Sequence, residues 1–323
     1  MRWMIVVSPL ISGLRSRGAS RLGLPPPRSS ATTSAVGNTF RSNTTLGLAI
    51  LTVAMVFSTT VHAWVSLRGV VGPTIALAAS PTSAVLWTIL ALGISMIVGL
   101  VVARVVNAVV AMFAIGCGVG VLAMRGGTIA DFTVSSMSTN VGLLGLAAET
   151  LVWSLVVTAV SIFIFRFGGP LPDAVEIEHP KRDGMFGWMA FASLATGPLL
   201  LLGIWAIAVA PAKGQVLGAT IIGSLLVGLA GRLATPITPP ALLYAAPLLF
   251  GAVGHVLAHI MLKGAPLRTA YVDESLVRFA YAMPIDLAVG GFVGVSLGIG
   301  MARSFFKTET VKTEGDRPDP VRT

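Results

Sequence analysis

The chain has 323 residues, of which 54% are hydrophobic and only 11% are charged, and its mean hydropathy is +0.87. A soluble domain carries about a quarter charged residues, so this composition excludes an ordinary water-soluble enzyme and an intrinsically disordered protein. The single cysteine, Cys117, excludes an intrachain disulfide and a cysteine-based metal cluster. The expected solvent for most of the chain is therefore the lipid bilayer.

The net charge of +9 does not point to a nucleic-acid partner. A strongly basic soluble protein would suggest one. In this sequence, however, most Lys and Arg residues lie between and beyond the apolar runs, where such residues set membrane topology and meet anionic lipid headgroups. We therefore expect the lipid bilayer as partner and no nucleic acid.

The first 43 residues differ in composition from the rest of the chain. They contain six Arg, no acidic residue and the run Pro25-Pro26-Pro27. Such a segment predicts a basic, disordered cytoplasmic tail over residues 1–43. A leader rich in Arg and Ser is also typical of an organellar transit peptide, so this alternative stays open.

Beyond the tail, apolar runs of about 20 residues recur, which is the length that a helix needs to cross about 30 Å of hydrocarbon. Only Arg104 and Asn107 interrupt residues 85–124, a stretch about twice as long as one crossing requires, so we expect a tight hairpin at Arg104. The sequence thus predicts an all-α polytopic membrane bundle of about eight helices: Leu46–Leu67, Ala84–Ala103, Val105–Met124, Val141–Phe165, Trp188–Ala210, Val216–Ala234, Ala241–Leu262 and Pro284–Ala302.

The distribution of positive charge predicts the orientation. With the N-terminus inside, 16 Lys and Arg residues fall on the cytoplasmic side and 6 on the other. The positive-inside rule then favours a cell (inner) membrane protein with both termini cytoplasmic. An organellar membrane is the alternative if the leader is a transit peptide.

A charged linker, residues 168–187, separates a first membrane half, 44–167, from a second, 188–306, and a polar tail, 307–323, follows. Glu149 and Arg166 recur 137 positions later as Asp286 and Arg303. This spacing predicts a parallel 4 + 4 pseudo-repeat, with the halves related by an axis along the membrane normal. Charges that simply mark helix ends are the alternative explanation.

Five ionisable residues predict a candidate ligand or proton path near the outer helix ends. They are His62 on the first helix, Glu149 on the fourth, His255 and His259 one turn apart on the seventh, and Asp286 on the eighth. Ionisable groups in a bilayer usually face a bundle interior, a cavity or a partner. The simpler alternative is that the carboxylates complement helix N-termini and that the histidines bond to backbone or water.

The three histidines also raise the question of a cofactor. Neutral imidazoles suit zinc, copper or haem iron, so His62, His255 and His259 are the residues that would bind a metal or haem. The sequence contains no His-Glu-x-x-His motif and no certain third ligand for the helical pair. We therefore predict no cofactor and keep haem or a transition metal as an alternative.

Regularly spaced glycines predict close helix packing. Gly290, Gly294 and Gly298 repeat every four residues, and Gly116 and Gly120 form a shorter version. A stripe of small residues lets another helix approach closely. We expect contacts within the chain, with a membrane-protein partner, a homo-oligomer or a groove beside Asp286 as alternatives.

The sequence shows no Walker A loop, no nucleophile elbow and no nucleophile–base pair, which argues against an ATP-driven pump and a soluble catalytic module. It favours permease-like transport of a small solute or ion, by rocking of one half against the other. A non-catalytic membrane subunit or scaffold and a haem- or metal-binding redox protein are the alternatives. A water-accessible cavity reaching the five ionisable residues would favour transport, and a dry, tightly packed interior would favour the subunit.

Overall fold

The computed structural model describes residues 29–136, 142–168, 187–236 and 240–315, with side chains for 42–135, 142–168, 187–236 and 240–305. The chain divides into two compact units, residues 1–48 and 49–323. The contacts and cavities discussed below all lie within the second unit.

Eight helices among the described residues are long and apolar enough to cross a membrane, which confirms the predicted all-α polytopic bundle. The chain crosses the membrane as helices because backbone N–H and C=O groups in hydrocarbon must form their hydrogen bonds within each segment. The helices are α1 (Ser42–Trp64), α2 (Pro81–Val105), α3 (Ala108–Arg125), α4 (Leu143–Phe167), α5 (Trp188–Ile207), α6 (Lys213–Ala234), α7 (Leu242–Met261) and α8 (Pro284–Phe305).

Helix extends further at both ends of the described chain than the composition suggested. The helix that contains most of α1 begins at Ser29, so residues 29–43 of the expected disordered tail are helical, while residues 1–28 lie outside the described residues. The last helical segment continues to Gly315, into the expected polar tail. Helix propagation is cooperative and no proline interrupts either segment. Residues 169–186 of the predicted linker also lie outside the described residues.

The predicted hairpin between the second and third crossings is confirmed, two residues beyond Arg104. Helix α2 ends at Val105 and α3 begins at Ala108. The side chain of Asn107 accepts a hydrogen bond from the backbone N–H of Val110 at 2.8 Å, which satisfies one of the free donors at the start of α3. The hairpin therefore results from a local capping signal as well as from the length limit.

The glycine stripe of α8 packs against α6. A Cβ added at Gly290 would lie 2.9 Å from the Thr220 carbonyl oxygen, and one added at Gly294 or Gly298 would meet the α6 backbone more closely still. On α3, a Cβ at Gly116 would lie 2.6 Å from the Cβ of Phe292. A Cβ at Gly120 would lie 3.8 Å from Cγ1 of Val289, an ordinary van der Waals distance, so this position does not require glycine. The other four glycines allow helices within the chain to approach each other closely.

Helix α8 is the most buried of the eight crossings and α1 the least. Within α8, one π-helical turn over Gly290–Gly294 separates the α-helical segment Pro284–Val289 from the one that begins at Val295. Such turns widen the helix by one residue and are frequent at functional sites. In α8 the turn coincides with two of the glycines that face α6.

Three of the contacts between the halves are related as a twofold axis would relate them. Helix α3 packs against α8 and α4 packs against α7, and a twofold that exchanges the halves interchanges these two pairs. The short helices Ile129–Ser136 and Leu267–Val272, which follow α3 and α7, also contact each other. The helices within the first half pack differently from those within the second half, most clearly at α1 and α2. The pseudo-repeat stays a prediction, and these contacts support it.

Candidate functional site

The even-numbered crossings begin at the end of the bundle where the odd-numbered crossings stop, and Glu149 and Asp286 lie there. We call this the carboxylate end. Contacts between distant connections define it: the backbone N–H of Gly127, just after α3, donates to the carbonyl oxygen of Gly72, before α2. It corresponds to the end that the charge distribution predicts to be outer.

Asp286 forms a buried ion pair with Lys213 at the carboxylate end. Lys213 Nζ lies 2.8 Å from Asp286 Oδ1, with the Asp286 side chain only 1% exposed and the Lys213 side chain 15% exposed. Lys213 also donates to the Gly127 carbonyl oxygen at 3.2 Å, and Asp286 Oδ2 accepts from the Met283 backbone N–H at 3.1 Å. The pair therefore joins the starts of α6 and α8 to the segment that follows α3.

The sequence does not identify Lys213, one of the six positive charges on the predicted outer side, as a member of the candidate site. The available signal was physical: a carboxylate inside a bilayer needs a partner, and Lys213 begins a helix that starts at the same end as α8. Sequence alone did not say which of the cations at that end would meet Asp286.

Glu149 fixes a connection rather than facing a cavity. One of its carboxylate oxygens accepts the backbone N–H of Ile75 at 3.0 Å. Ile75 belongs to the connection between α1 and α2, whereas Glu149 lies in the second turn of α4. The Glu149 carboxylate thus links that connection to α4, because it accepts a hydrogen bond from a backbone N–H that would otherwise be unpaired.

His255 is fully buried, with both ring nitrogens in contact with the protein. Its Nε2 lies 2.9 Å from the Ala282 carbonyl oxygen and its Nδ1 lies 3.4 Å from Thr150 Oγ1. A carbonyl oxygen can only accept, so Nε2 must carry a proton, and Nδ1 is then the acceptor in the neutral ring. The Thr150 hydroxyl also approaches the Leu146 carbonyl oxygen, at 2.7 Å, so the bond to Nδ1 is the weaker of the two histidine contacts.

The structure brings three of the five predicted residues into one layer. Thr150, which contacts His255, directly follows Glu149, and Ala282, the other partner of His255, precedes the Met283 amide bound by Asp286. His62 and His259 are exposed, in the last turns of α1 and α7. The expectation that His255 and His259 share a face therefore does not give them a shared environment.

The described residues contain no group of three or more His, Cys, Asp or Glu side chains that could bind a metal ion. His255 could ligate a metal only through Nδ1, which contacts Thr150, or after Nε2 gives up its bond to Ala282. Coordination of a metal or haem by His62, His255 and His259 thus remains the alternative, and the arrangement of these side chains does not support it.

Two cavities stand out among the described residues, and neither is lined by Glu149, His255 or Asp286. The larger, about 240 Å³, lies between α1 and α2 and is lined almost wholly by apolar side chains. The smaller, about 150 Å³, lies under the connection between α7 and α8, next to Ala258 and Ser275. The layer formed by Glu149, His255 and Asp286 is thus held by protein contacts.

The chain was compared with protein families, curated proteins and solved structures, and nothing matched it in any of the three comparisons.

Proposed function

We propose that this multi-pass membrane protein is a non-transporting integral subunit or scaffold. The observation that carries the proposal is that the buried ionisable side chains at the carboxylate end all bind partners within the chain. Asp286 has Lys213 and the Met283 amide, Glu149 has the Ile75 amide, and His255 has Ala282 and Thr150. These contacts hold connections and helix starts in place.

The packing beneath this layer supports the same proposal. A permease needs an aqueous path that reaches its polar groups, because a charged solute in hydrocarbon is expensive. Instead, glycines bring α8 into backbone contact with α6 directly below Asp286. Glu149, His255 and Asp286 line neither of the two cavities described above.

Permease-like transport of a small solute or ion is the second candidate, and two observations favour it. The Lys213–Asp286 pair reaches the Gly127 carbonyl oxygen of the other half, so rocking of the halves would break the contact. The π-helical turn at Gly290–Gly294 begins one turn below Asp286, and turns of this kind are frequent at functional sites. Under this candidate the ion pair would be a closed gate.

Labelling from water distinguishes the two candidates without knowledge of a substrate. Cys117 is first replaced by alanine, and Thr150 is changed to cysteine in that background. The protein in vesicles is then treated with a membrane-impermeant maleimide. A static subunit predicts negligible labelling of Thr150→Cys, while His62→Cys, which is exposed at the same end, labels readily. The Lys213→Met variant in the same background tests whether removal of the ion pair exposes Thr150→Cys to water.

Labelling of Thr150→Cys in the presence of Lys213, at a rate near that of His62→Cys, would contradict the subunit proposal and support an opening gate. Protection of Thr150→Cys that persists in the Lys213→Met variant is the result expected for a static subunit, whereas protection that Lys213→Met relieves is the result expected for a closed gate. Thermal unfolding in detergent establishes that each variant is folded before its labelling is compared.

A further inference from the structure

The cavity between α1 and α2 is an apolar groove in the side of the bundle. Met55, Val56, Thr59 and Thr60 line it from α1. Trp87, Leu90, Ala91 and Ile94 line it from α2. Met55, Trp87, Leu90 and Ile94 are all exposed, whereas Ala91 is only 2% exposed. We refer to these eight residues as the α1–α2 groove.

The groove exists because α1 and α2 meet at the carboxylate end and both pack on α3 further in. Trp64 Nε1 donates to Thr88 Oγ1 at 3.0 Å, which joins the two helices at that end. Below this contact, Gly118 of α3 accommodates Val53 and Phe57 of α1, and Ile115 of α3 fills the space at Gly99 of α2.

The corresponding helices of the second half pack without such a gap at their glycine contact. A Cβ added at Gly203 of α5 would lie 2.6 Å from the Cα of Gly223 on α6, so the two backbones are in direct contact there. Between α1 and α2, by contrast, a cavity of about 240 Å³ lies beside Leu90 and Ala91. The first half therefore leaves a space beside a peripheral helix that the second half closes.

The lining of the groove suits hydrocarbon. Its two hydroxyl groups are already used, since Thr59 donates to the Val56 carbonyl oxygen at 2.7 Å and Thr60 donates to the same oxygen at 3.2 Å. No charged side chain lines it. The groove therefore offers a polar solute neither a free hydroxyl donor nor a charged side chain. A flexible hydrocarbon chain would restore the dispersion contacts that an empty space between side chains forfeits.

A positively charged side chain, Arg68, is exposed at the turn of the connection that leads from α1 to α2. This connection lies at the carboxylate end. Near a membrane surface a basic residue attracts anionic lipid headgroups. Trp87, partly exposed in the second turn of α2, suits the interfacial region of a bilayer.

We propose that the α1–α2 groove binds one acyl chain of an anionic phospholipid, with the headgroup at Arg68. The lipid replaces the contact between helices that the second half makes through Gly203 and Gly223. It holds α1 against the bundle along the side where protein contacts are missing. This proposal does not depend on whether the protein transports a solute.

The test compares Leu90→Trp with Leu86→Trp. Both leucines are exposed on α2, one turn apart, but only Leu90 lines the groove. Each variant is reconstituted with phosphatidylcholine and a small fraction of chain-labelled phosphatidylglycerol, and the motionally restricted lipid is measured by electron paramagnetic resonance. Leu90→Trp is expected to remove about one restricted lipid per chain, because the indole is larger than the leucine side chain and occupies part of the groove. Leu86→Trp is expected to remove none.

Arg68→Gln tests the headgroup separately. It is expected to lower the preference for phosphatidylglycerol over phosphatidylcholine by up to roughly fivefold, which corresponds to about 1 kcal/mol per basic residue near the surface. An unchanged preference would overturn the assignment of Arg68. Equal restricted populations in the two tryptophan variants would overturn the lipid site itself.

A helix of a second copy is the competing occupant of the groove. Native mass spectrometry of the purified protein tests this alternative. A dimer that is lost with Leu90→Trp and kept with Leu86→Trp would overturn the lipid proposal. A monomer that retains phospholipid, and retains less of it with Leu90→Trp, supports the lipid proposal.

Discussion

Lys213 and Asp286 open two different membrane helices, α6 and α8, and their charged groups lie 2.8 Å apart with the carboxylate almost wholly buried. The exposure of the two partners differs, and the difference predicts unequal effects of removing them. Lys213 retains the Gly127 carbonyl oxygen and some access to water, whereas Asp286 would keep only the Met283 amide.

Lys213→Ala should therefore destabilise the protein more than Asp286→Ala. Breaking a buried pair by removing one partner costs about 3–5 kcal/mol, and we expect Lys213→Ala to reach this range. The double variant should be more stable than Lys213→Ala alone, because no unpaired buried carboxylate remains. Thermal unfolding in detergent measures all three, with the exposed Arg125→Ala at the same end as control. Equal destabilisation by both single variants would contradict the asymmetry.

Glu149 should control the order of the connection between α1 and α2. Glu149→Ala removes the acceptor for the Ile75 amide. Leaving a buried donor unpaired costs about 1–3 kcal/mol, and the partly buried Ile75 amide should fall at the lower end of this range. Hydrogen exchange at residues 75–77 should accelerate, while exchange in the middle of α4 stays unchanged. Glu149→Gln keeps an oxygen acceptor and should be nearer to the wild type. Acceleration spread over the whole bundle would mean that Glu149 has a global role instead.

The glycine stripe of α8 offers a matched pair of substitutions. Gly294→Ala places a methyl group against the Ile221 carbonyl oxygen and the Ser224 side chain of α6, whereas the Cβ position at Gly300 has nothing within 4 Å. We expect Gly294→Ala to cost at least about 1–3 kcal/mol, as overpacking does. Gly300→Ala should be neutral or slightly stabilising, since alanine is the better helix former. Thermal unfolding of the two variants checks this, and equal values would show that α6 and α8 pack less closely.

The contacts of His255 predict its tautomer. Because Nε2 donates to the Ala282 carbonyl oxygen, the neutral ring should carry its proton there and leave Nδ1 without one. Nitrogen NMR of selectively labelled histidine, assigned with a His255→Gln variant, reports which ring nitrogen is protonated. A neutral ring with its proton on Nδ1 would contradict the observed contact with Ala282.

An even number of crossings predicts that the two termini lie on the same face of the membrane. The positive-inside rule assigns that face to the cytoplasm. Single cysteines placed at Ser42 and Phe305, in a chain with Cys117 replaced by alanine, can be labelled with an impermeant maleimide before and after membrane permeabilisation. Both should label only after permeabilisation of intact cells. Labelling of one of them beforehand would contradict the predicted arrangement.

Part of the architecture could be predicted because its causes are local. Apolar length predicts the crossings, and Arg104 and Asn107 in an otherwise apolar run predict the turn after α2. The same local reading failed at residues 29–43, where basic and polar composition indicated disorder although helix begins at Ser29. A basic, polar composition indicates that a segment cannot form a hydrophobic core of its own. A segment that extends an adjacent helix needs no such core, because helix propagation is cooperative.

The sequence by itself determined that this chain crosses a membrane repeatedly as helices, because each stretch of backbone in hydrocarbon must satisfy its own hydrogen bonds. It also placed Glu149, His255 and Asp286 at one end. Only the tertiary structure decided that Lys213 is the partner of Asp286, that Glu149 binds the Ile75 amide, and that the Gly290 stripe faces α6. Those pairings join residues 66 to 74 positions apart, and which helix lies beside which depends on the packing of the whole bundle.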